Sequence, residues 1–218
     1  MTIQPSADSA GRLTPADLAV GAIIAACMAA VIMLISSGIS LIVTFLPGVI
    51  FSYTVLLLMW RNRKPLPPPR RFLPVFFLAL SLQFLHFAEE FTTGFAGRFP
   101  HLYGGNPYSP TLFVQINMIS YALFVLSALA AFVFGLRRVL MPAVFFVLYG
   151  VLGNAIAHPI WAIMVHGYFP GLFTALIYWV LGPWLLYLLL QSKKQTVVLI
   201  GVYAAVLATT LSLGRIVH

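Results

Sequence analysis

Three side chains capable of chemistry stand close together in the segment His-Phe-Ala-Glu-Glu at positions 86–90. A helix turns about 100° per residue, so His86, Glu89 and Glu90 lie on one helical face. The chain has only four carboxylates, and these two end a long apolar run where ionised carboxylates are costly. Adjacent carboxylates there need a metal ion, a histidinium or a shared proton, so the pattern predicts a functional site.

A second group of polar residues lies further along the chain. Asn154 and His158 are separated by one helical turn within another apolar run, so they also share a helix face. His166 and Tyr168 follow in a short turn. If consecutive apolar runs cross a membrane in alternating directions, all of these residues lie in the same half of the bilayer as His86. The common depth predicts one site built by at least two helices.

The spacing of the first group favours a metal site. In the inverted zincin pattern H-x-x-E-H, the first and last residues are ligands and the glutamate is the general base. By this analogy, His86 and Glu90 bind a divalent metal, most plausibly zinc. The third ligand must come from elsewhere, with His158 as the first choice and His166 as the alternative. Three protein ligands with one open position are typical of hydrolytic zinc.

The remaining polar residues are assigned to catalysis. Glu89 would be the general acid or base, so Glu89→Gln should abolish turnover without loss of metal or fold, while Asn154 and Tyr168 orient or stabilise the reacting groups. The depth of the site suggests that the enzyme hydrolyses a lipid or a lipid-like substrate. Two alternatives stay open: a metal-free isomerase or lyase that moves protons through the glutamate pair, and a proton-coupled transporter, although the chain has no visible inverted repeat.

Membrane-spanning helices are the elements that must position these residues. The chain is 61% hydrophobic and 7% charged, with a mean hydropathy of +1.02. Soluble domains average about 25% charged residues. The composition therefore predicts an all-α, polytopic transmembrane bundle in contact with the lipid bilayer. The net charge of +8 does not indicate a nucleic-acid partner, because the basic residues form short clusters between apolar runs.

Seven apolar runs predict seven transmembrane spans. Residues 1–17 are expected to form a polar tail and residues 18–214 a single transmembrane domain. The stretch 92–110 is broken by glycines and prolines, so we expect an outer loop that closes as a lid over the site. The predicted spans are residues 18–36, 39–60, 72–91, 111–136, 139–161, 172–190 and 196–213.

The basic residues predict the orientation of the chain. Cytoplasmic loops are enriched in Lys and Arg, and ten of the twelve basic residues fall on the side of the N-terminus. The N-terminus is therefore expected to be cytoplasmic, with the site opening toward the periplasmic side of a bacterial inner membrane. Arg98 and Arg215 would lie outside. The ten predicted cytoplasmic residues are Arg12, Arg61, Arg63, Lys64, Arg70, Arg71, Arg137, Arg138, Lys193 and Lys194.

Three motifs in order give the chain a family resemblance. It has H-x-x-E-E at 86–90, N-x-x-x-H at 154–158 and Y-x-P-G-x-x-T at 168–174. This combination resembles the HXXEE family of bacterial integral membrane proteins over about residues 80–180. The resemblance implies no activity. It implies that the site also includes residues of the second and third motifs, namely Asn154, His158, Tyr168, Pro170, Gly171 and Thr174.

The third motif also fits a helix start. Pro170 is expected in the first turn of the sixth span, where proline is favoured. The free N–H groups of that turn would then be available to developing negative charge in the reaction.

Overall fold

A computed structural model describes residues 11–216 as a bundle of nine α-helices without a β-strand in that range. Seven segments are long and apolar enough to cross a membrane, which confirms the predicted all-α bundle of seven spans. The α-helices are α1 (Pro15–Ile35), α2 (Ser40–Arg61), α3 (Pro69–Thr92), α4 (Phe95–His101), α5 (Pro110–Phe132), α6 (Met141–Phe145), α7 (Asn154–Met164), α8 (Leu172–Leu190) and α9 (Lys193–Ile216).

The fifth span, Arg137–Met164, is the centre of the bundle, with 89% of its most apolar stretch buried. It contains the span expected over residues 139–161 and is built from several helical segments. A 3₁₀ turn leads into α6, a π-helical segment follows at Phe146–Gly153, and α7 completes the span. Its apolar side chains point in every direction, as expected for a helix enclosed by other helices. A π-helical segment turns the following residues relative to a regular helix, so it determines which way α7 faces.

The first helix begins earlier than the sequence suggested. Thr14 caps α1 in a reciprocal capping box with Asp17, which is buried within the helix. The Asp17 carboxylate also lies 3.8 Å from Arg137 and from Arg138. Helix α1 therefore begins three residues before the predicted start at residue 18. The first ten residues of the expected polar tail lie outside the described part of the chain.

The ends of the spans gather at two opposite faces of the bundle. At one face, Leu66 donates its N–H to the Gly11 carbonyl, and Gln191 Nε2 donates to the Pro65 carbonyl at 2.8 Å. At the other face, Arg215 donates to the Met164 carbonyl. The ten basic residues assigned to one side thus flank the same ends of the alternating spans. Which face is cytoplasmic stays a prediction.

The stretch 92–110 is an ordered cap rather than an irregular loop. It contains α4, and its aromatic residues Phe95, Phe99, Tyr103 and Tyr108 are buried. Trp161 of α7 donates its indole N–H to the Tyr103 hydroxyl at 2.8 Å. Burial raises the pKa of Tyr103 to about 12. The cap therefore packs firmly against α7, and the expected lid movement stays a prediction.

Candidate metal centre

Helix α3 presents one polar face to the bundle and an apolar face to the surroundings. Gln83, His86 and Glu90 follow the i, i+3, i+7 spacing of one face and are buried. The intervening Phe84 and Leu85 are 50% and 62% exposed. Because lipid favours apolar side chains, this division turns the polar face of α3 inward.

Helix α7 brings the second histidine to the same place. The ring centroids of His86 and His158 are 4.7 Å apart, and the two rings are nearly perpendicular. Both imidazoles are fully buried, and Glu90 is only 6% exposed. His86 Nε2 lies 3.4 Å from Glu90 Oε1, and His158 Nε2 lies 3.5 Å from the same oxygen. These three residues, hereafter the donor cluster, are a group that can hold a metal ion.

Hydrogen bonds fix the tautomer of both imidazoles. His158 Nδ1 is 2.7 Å from the Pro170 carbonyl, which can only accept, so Nδ1 carries the proton. His86 Nδ1 is 2.8 Å from Thr174 Oγ1, whose own proton is donated to Glu89 Oε2 at 2.6 Å. We infer that His86 Nδ1 also donates. In the neutral imidazole each Nε2 therefore presents a lone pair, and neither Nε2 has a hydrogen-bond partner among the described residues.

Glu89 points away from the donor cluster, toward the start of α8. One carboxylate oxygen accepts from the Tyr168 hydroxyl at 2.8 Å and from the Phe173 N–H at 3.1 Å. The other accepts from the N–H and the hydroxyl of Thr174. Partial burial raises the pKa of Tyr168, which keeps its hydroxyl protonated as a donor. The free N–H groups at the start of α8, which we expected to face developing negative charge, thus donate to Glu89. The N-terminus of a helix is a favourable position for a carboxylate.

Gly171 is the N-cap of α8, and Pro170 lies before the helix. The expectation that Pro170 lies in the first turn is wrong, because Gly171 is the N-cap and has a φ of +86°. A Cβ atom on Gly171 would lie 2.5 Å from His158 Cε1 and 2.8 Å from His86 Cε1. Glycine is therefore needed both for the backbone conformation and for the close approach of the two imidazoles.

Comparison with known families supports the grouping of these motifs. Residues 77–188, about half of the chain, match a family described as "Protein of unknown function with HXXEE motif". The chain belongs to the HXXEE family. The donor cluster, Glu89, Gly171 and Thr174 all fall inside the HXXEE match, whereas α1, α2 and α9 lie outside it. Searches of curated proteins and of solved structures gave no match.

The other residues predicted for the HXXEE site take different positions. His166 is exposed in the turn after α7 with a φ of +52°, outside the donor cluster. The structure thus brings His158, and not His166, beside His86 and Glu90. Asn154 is buried, donates to the Gly150 carbonyl at 3.0 Å and lines the same cavity as Glu90. The catalytic roles given to Asn154, Tyr168 and Glu89 stay predictions.

A polar network beside the HXXEE motif was not predicted. Tyr178 of α8 donates to Gln83 Oε1 at 2.7 Å, and Gln83 Nε2 donates to the Tyr121 hydroxyl at 3.0 Å. The Tyr121 hydroxyl donates in turn to Asn117 Oδ1. Gln83 precedes His86 by three residues, so extending the same-face count by one step would have found it. Tyr121 and Asn117 carry no such signal, because only the packing of α5 places them there.

Glu90 opens into a small cavity of about 80 Å³. A water molecule needs about 10–15 Å³ of such volume, so the cavity has room for several. Amide and phenol groups line part of its wall beside aromatic rings of the cap. The polar side chains on this wall are Gln83, Glu90, Asn117, Ser120, Tyr121 and Asn154.

Proposed function

We propose that this HXXEE protein is a metal-dependent membrane enzyme that binds one zinc ion at the donor cluster and hydrolyses a lipid-like substrate. One observation carries the proposal: two buried imidazoles, each held through Nδ1 by a hydrogen bond, place their Nε2 atoms 3.4 and 3.5 Å from the same carboxylate oxygen of Glu90. When both imidazoles are neutral, the two Nε2 lone pairs and the Glu90 carboxylate oxygen repel each other. A cation between them removes the repulsion and balances the buried carboxylate.

The distances support zinc in particular. Zinc–nitrogen and zinc–oxygen bonds of about 2.0–2.2 Å in a tetrahedron require ligand atoms about 3.3–3.6 Å apart. The two nitrogen–oxygen distances are 3.4 and 3.5 Å. Two imidazoles and one carboxylate also form the ligand set of hydrolytic zinc sites, in which bound zinc activates water at its open position.

The outer hydrogen bonds support a metal centre of fixed geometry. Histidine ligands usually donate their second N–H to a carbonyl or a carboxylate, which orients the ring. His158 has the Pro170 carbonyl in this position, and His86 reaches the Glu89 carboxylate through the Thr174 hydroxyl. In this proposal Glu89 positions His86, a role that its four hydrogen bonds suit better than that of a general base.

The lipid-like substrate is proposed from the position of the site. His86 and Glu90 lie within the last two turns of a membrane-spanning helix, near the face opposite most of the basic residues. Substrates that reach a buried centre at this depth have an apolar part in the bilayer and a polar group near its boundary. A hydrolysable ester, amide or phosphoester next to an acyl chain meets this description.

Metal analysis of the purified protein tests the proposal. We expect about one equivalent of zinc per chain, lost in His86→Ala, Glu90→Ala and His158→Ala. His166→Asn is the matched control, because Asn tolerates its positive φ and His166 is outside the cluster. Hydrolysis of lipid esters and amides should require the same three residues. A wild-type protein without transition metal that fails to bind added Co²⁺ would overturn the proposal and leave the metal-free isomerase reading.

A further inference from the structure

A second, larger cavity of about 800 Å³ lies between α1 and α5. Helix α1 packs mainly against α2 and the start of the fifth span, and α5 packs mainly against α6 and the same start of the fifth span. The two helices are therefore separated along a cleft whose floor belongs to the fifth span. Representative lining residues are Cys27 and Ile32 of α1, Ile119 and Leu123 of α5, and Val139 and Phe145 of the fifth span.

The cleft is apolar and open on the side that faces the bilayer. Nearly all of its lining side chains are aliphatic or aromatic. On its rims, Ile23 is 63% exposed, Ile119 is 60% exposed and Leu126 is 62% exposed. Side chains of this kind at the level of the spans lie in contact with lipid chains. A hydrocarbon chain can therefore enter the cleft sideways without crossing water.

The height of the cleft matches a long chain. Its lining on α5 extends from Leu112 to Ala130. With a rise of 1.5 Å per residue, these positions span about 27 Å along the helix axis. The hydrocarbon core of a bilayer is about 30 Å thick. An extended chain aligned with the membrane normal fits along the cleft.

The cleft adjoins the cavity at Glu90. Both cavities are lined by the same set of side chains at their boundary, contributed by α2, α5 and α6. The wall changes along this path from aliphatic residues to the amide, hydroxyl and carboxylate groups around Glu90. The shared residues are Leu41, Phe45, Ile116, Ser120, Phe124 and Phe145.

We infer that the cleft between α1 and α5 is the lateral entrance and the binding pocket for one hydrocarbon chain of a membrane lipid, whose polar group reaches Glu90. The inference deepens the proposed function, because the reaction at Glu90 rests on the donor cluster. Binding of the chain itself does not. A hydrocarbon chain that moves from the bilayer into the cleft exchanges one apolar environment for another. The choice among lipids therefore depends on the polar group of the lipid and on the length of the cleft.

Photocrosslinking tests the pocket independently of the metal. The probe is a phosphatidylcholine with a diazirine midway along one acyl chain, added as a minor component to nanodiscs that contain the full-length protein. We expect labelling of the buried lining residues Ile32, Phe124 and Ser127, as mapped by mass spectrometry. Labelling that is restricted to outward-facing positions such as Val180 would overturn the inference.

Two substitutions sharpen the test. Ser120→Phe fills the boundary between the two cavities, and Cys27→Phe narrows the cleft at α1. Cys27→Phe should reduce labelling of Phe124 and Ser127 severalfold. Ser120→Phe should reduce lipid hydrolysis severalfold with zinc content unchanged. Ser81→Phe, on an exposed position of α3, is the matched control and should change neither. Monodisperse elution and an unchanged thermal midpoint establish that each variant is folded.

The outcomes separate this inference from the proposed function. Labelled lining residues in a protein without zinc would retain the chain pocket and reject the metal enzyme. One equivalent of zinc with equal labelling in wild type and Cys27→Phe would reject the pocket and retain the metal centre. Glu90→Gln should lose zinc while the lining residues remain labelled, because Glu90 does not line the cleft.

Discussion

At the scale of single residues, the adjacent Glu89 and Glu90 of α3 contact different parts of the bundle. Glu90 faces the two imidazoles and the polar cavity, whereas Glu89 faces the first turn of α8. Consecutive helical residues point about 100° apart, so both carboxylates can be on the bundle side of α3 and still reach different helices. In the proposed function the H-x-x-E-E motif serves two tasks: Glu90 helps to hold a cation, and Glu89 binds the start of the helix that orients His86.

Gly171→Ala should disrupt the donor cluster without removing a ligand. The added Cβ would clash with both imidazole rings, and alanine is strained at a φ of +86°. We expect loss of bound zinc and a decrease of at least about 1–3 kcal/mol in the free energy of unfolding. Gly97→Ala is the matched control, because a Cβ there meets no atom within 4 Å. Full zinc content in Gly171→Ala would contradict the tight packing of the rings.

Glu89→Gln should destabilise the protein, contrary to the expectation from sequence. The amide cannot accept from all four donors, and a carboxylate charge at the helix start is lost. We expect about 1–3 kcal/mol lower stability and about 10–100-fold weaker zinc binding. Thermal unfolding measures the stability, and metal titration measures the zinc affinity. Thr92→Val, at an exposed position of α3, is the control. Abolished turnover with unchanged stability and metal affinity would return Glu89 to the role of general base.

At the scale of elements, the start of α8 joins α3 and α7. The carbonyl of Pro170 orients His158, and the side chain of Thr174 orients His86. Only four positions along the chain separate these two contacts. A small shift of the α8 start would therefore misalign both imidazoles together. The π-helical segment also affects the orientation of His158, because it determines the face that α7 turns toward α3.

The cap at residues 92–110, which contains α4, is a second element that supports the site. Phe95 is buried, and its ring lies 5.7 Å from the rings of His158 and Trp161. Phe95→Ala should lower the free energy of unfolding by about 3–5 kcal/mol, because it leaves a cavity among aromatic rings. Zinc content at low temperature should persist, since Phe95 provides no ligand. Phe84→Ala, at a half-exposed position of α3, should have a much smaller effect on the thermal midpoint.

At the scale of the whole molecule, the fifth span organises the bundle. Other spans enclose it, and it carries His158 on one side and the floor of the α1–α5 cleft on another. The site and the cleft are thus two sides of one central helix. Helices α1 and α2 lie outside the HXXEE match, which begins at residue 77. Helix α2 provides part of the boundary between the two cavities, and α1 provides one wall of the cleft.

The orientation of the bundle can be tested with reporter fusions. The excess of basic residues at one face predicts that the connector at residues 62–68 is cytoplasmic. A fluorescent reporter inserted there should fold, and a periplasmic phosphatase fused after residue 216 should be active. A fusion in residues 102–109 is the internal control and must report the same side as the C-terminal fusion. Phosphatase activity at 62–68 would invert the assignment, including the side on which the site opens.

The sequence by itself determined the class of the protein, the number of spans and the first two members of the donor cluster, His86 and Glu90. Low charge and seven apolar runs leave few alternatives to a helical membrane bundle, because lipid cannot satisfy exposed backbone polar groups. The rarity of carboxylates singled out Glu89 and Glu90, and helical periodicity placed His86 beside them. These properties are local or compositional, so they can be read along the chain.

Only the tertiary structure decided which histidine completes the cluster and what each glutamate contacts. His158 and His166 were both within reach in sequence, and the packing of α7 against α3 selected His158. The sequence did not reveal the four hydrogen bonds that Glu89 accepts, because their donors lie far along the chain in Tyr168, Phe173 and Thr174. Such contacts depend on how helices pack and rotate against one another, and helical periodicity within one segment does not contain that information.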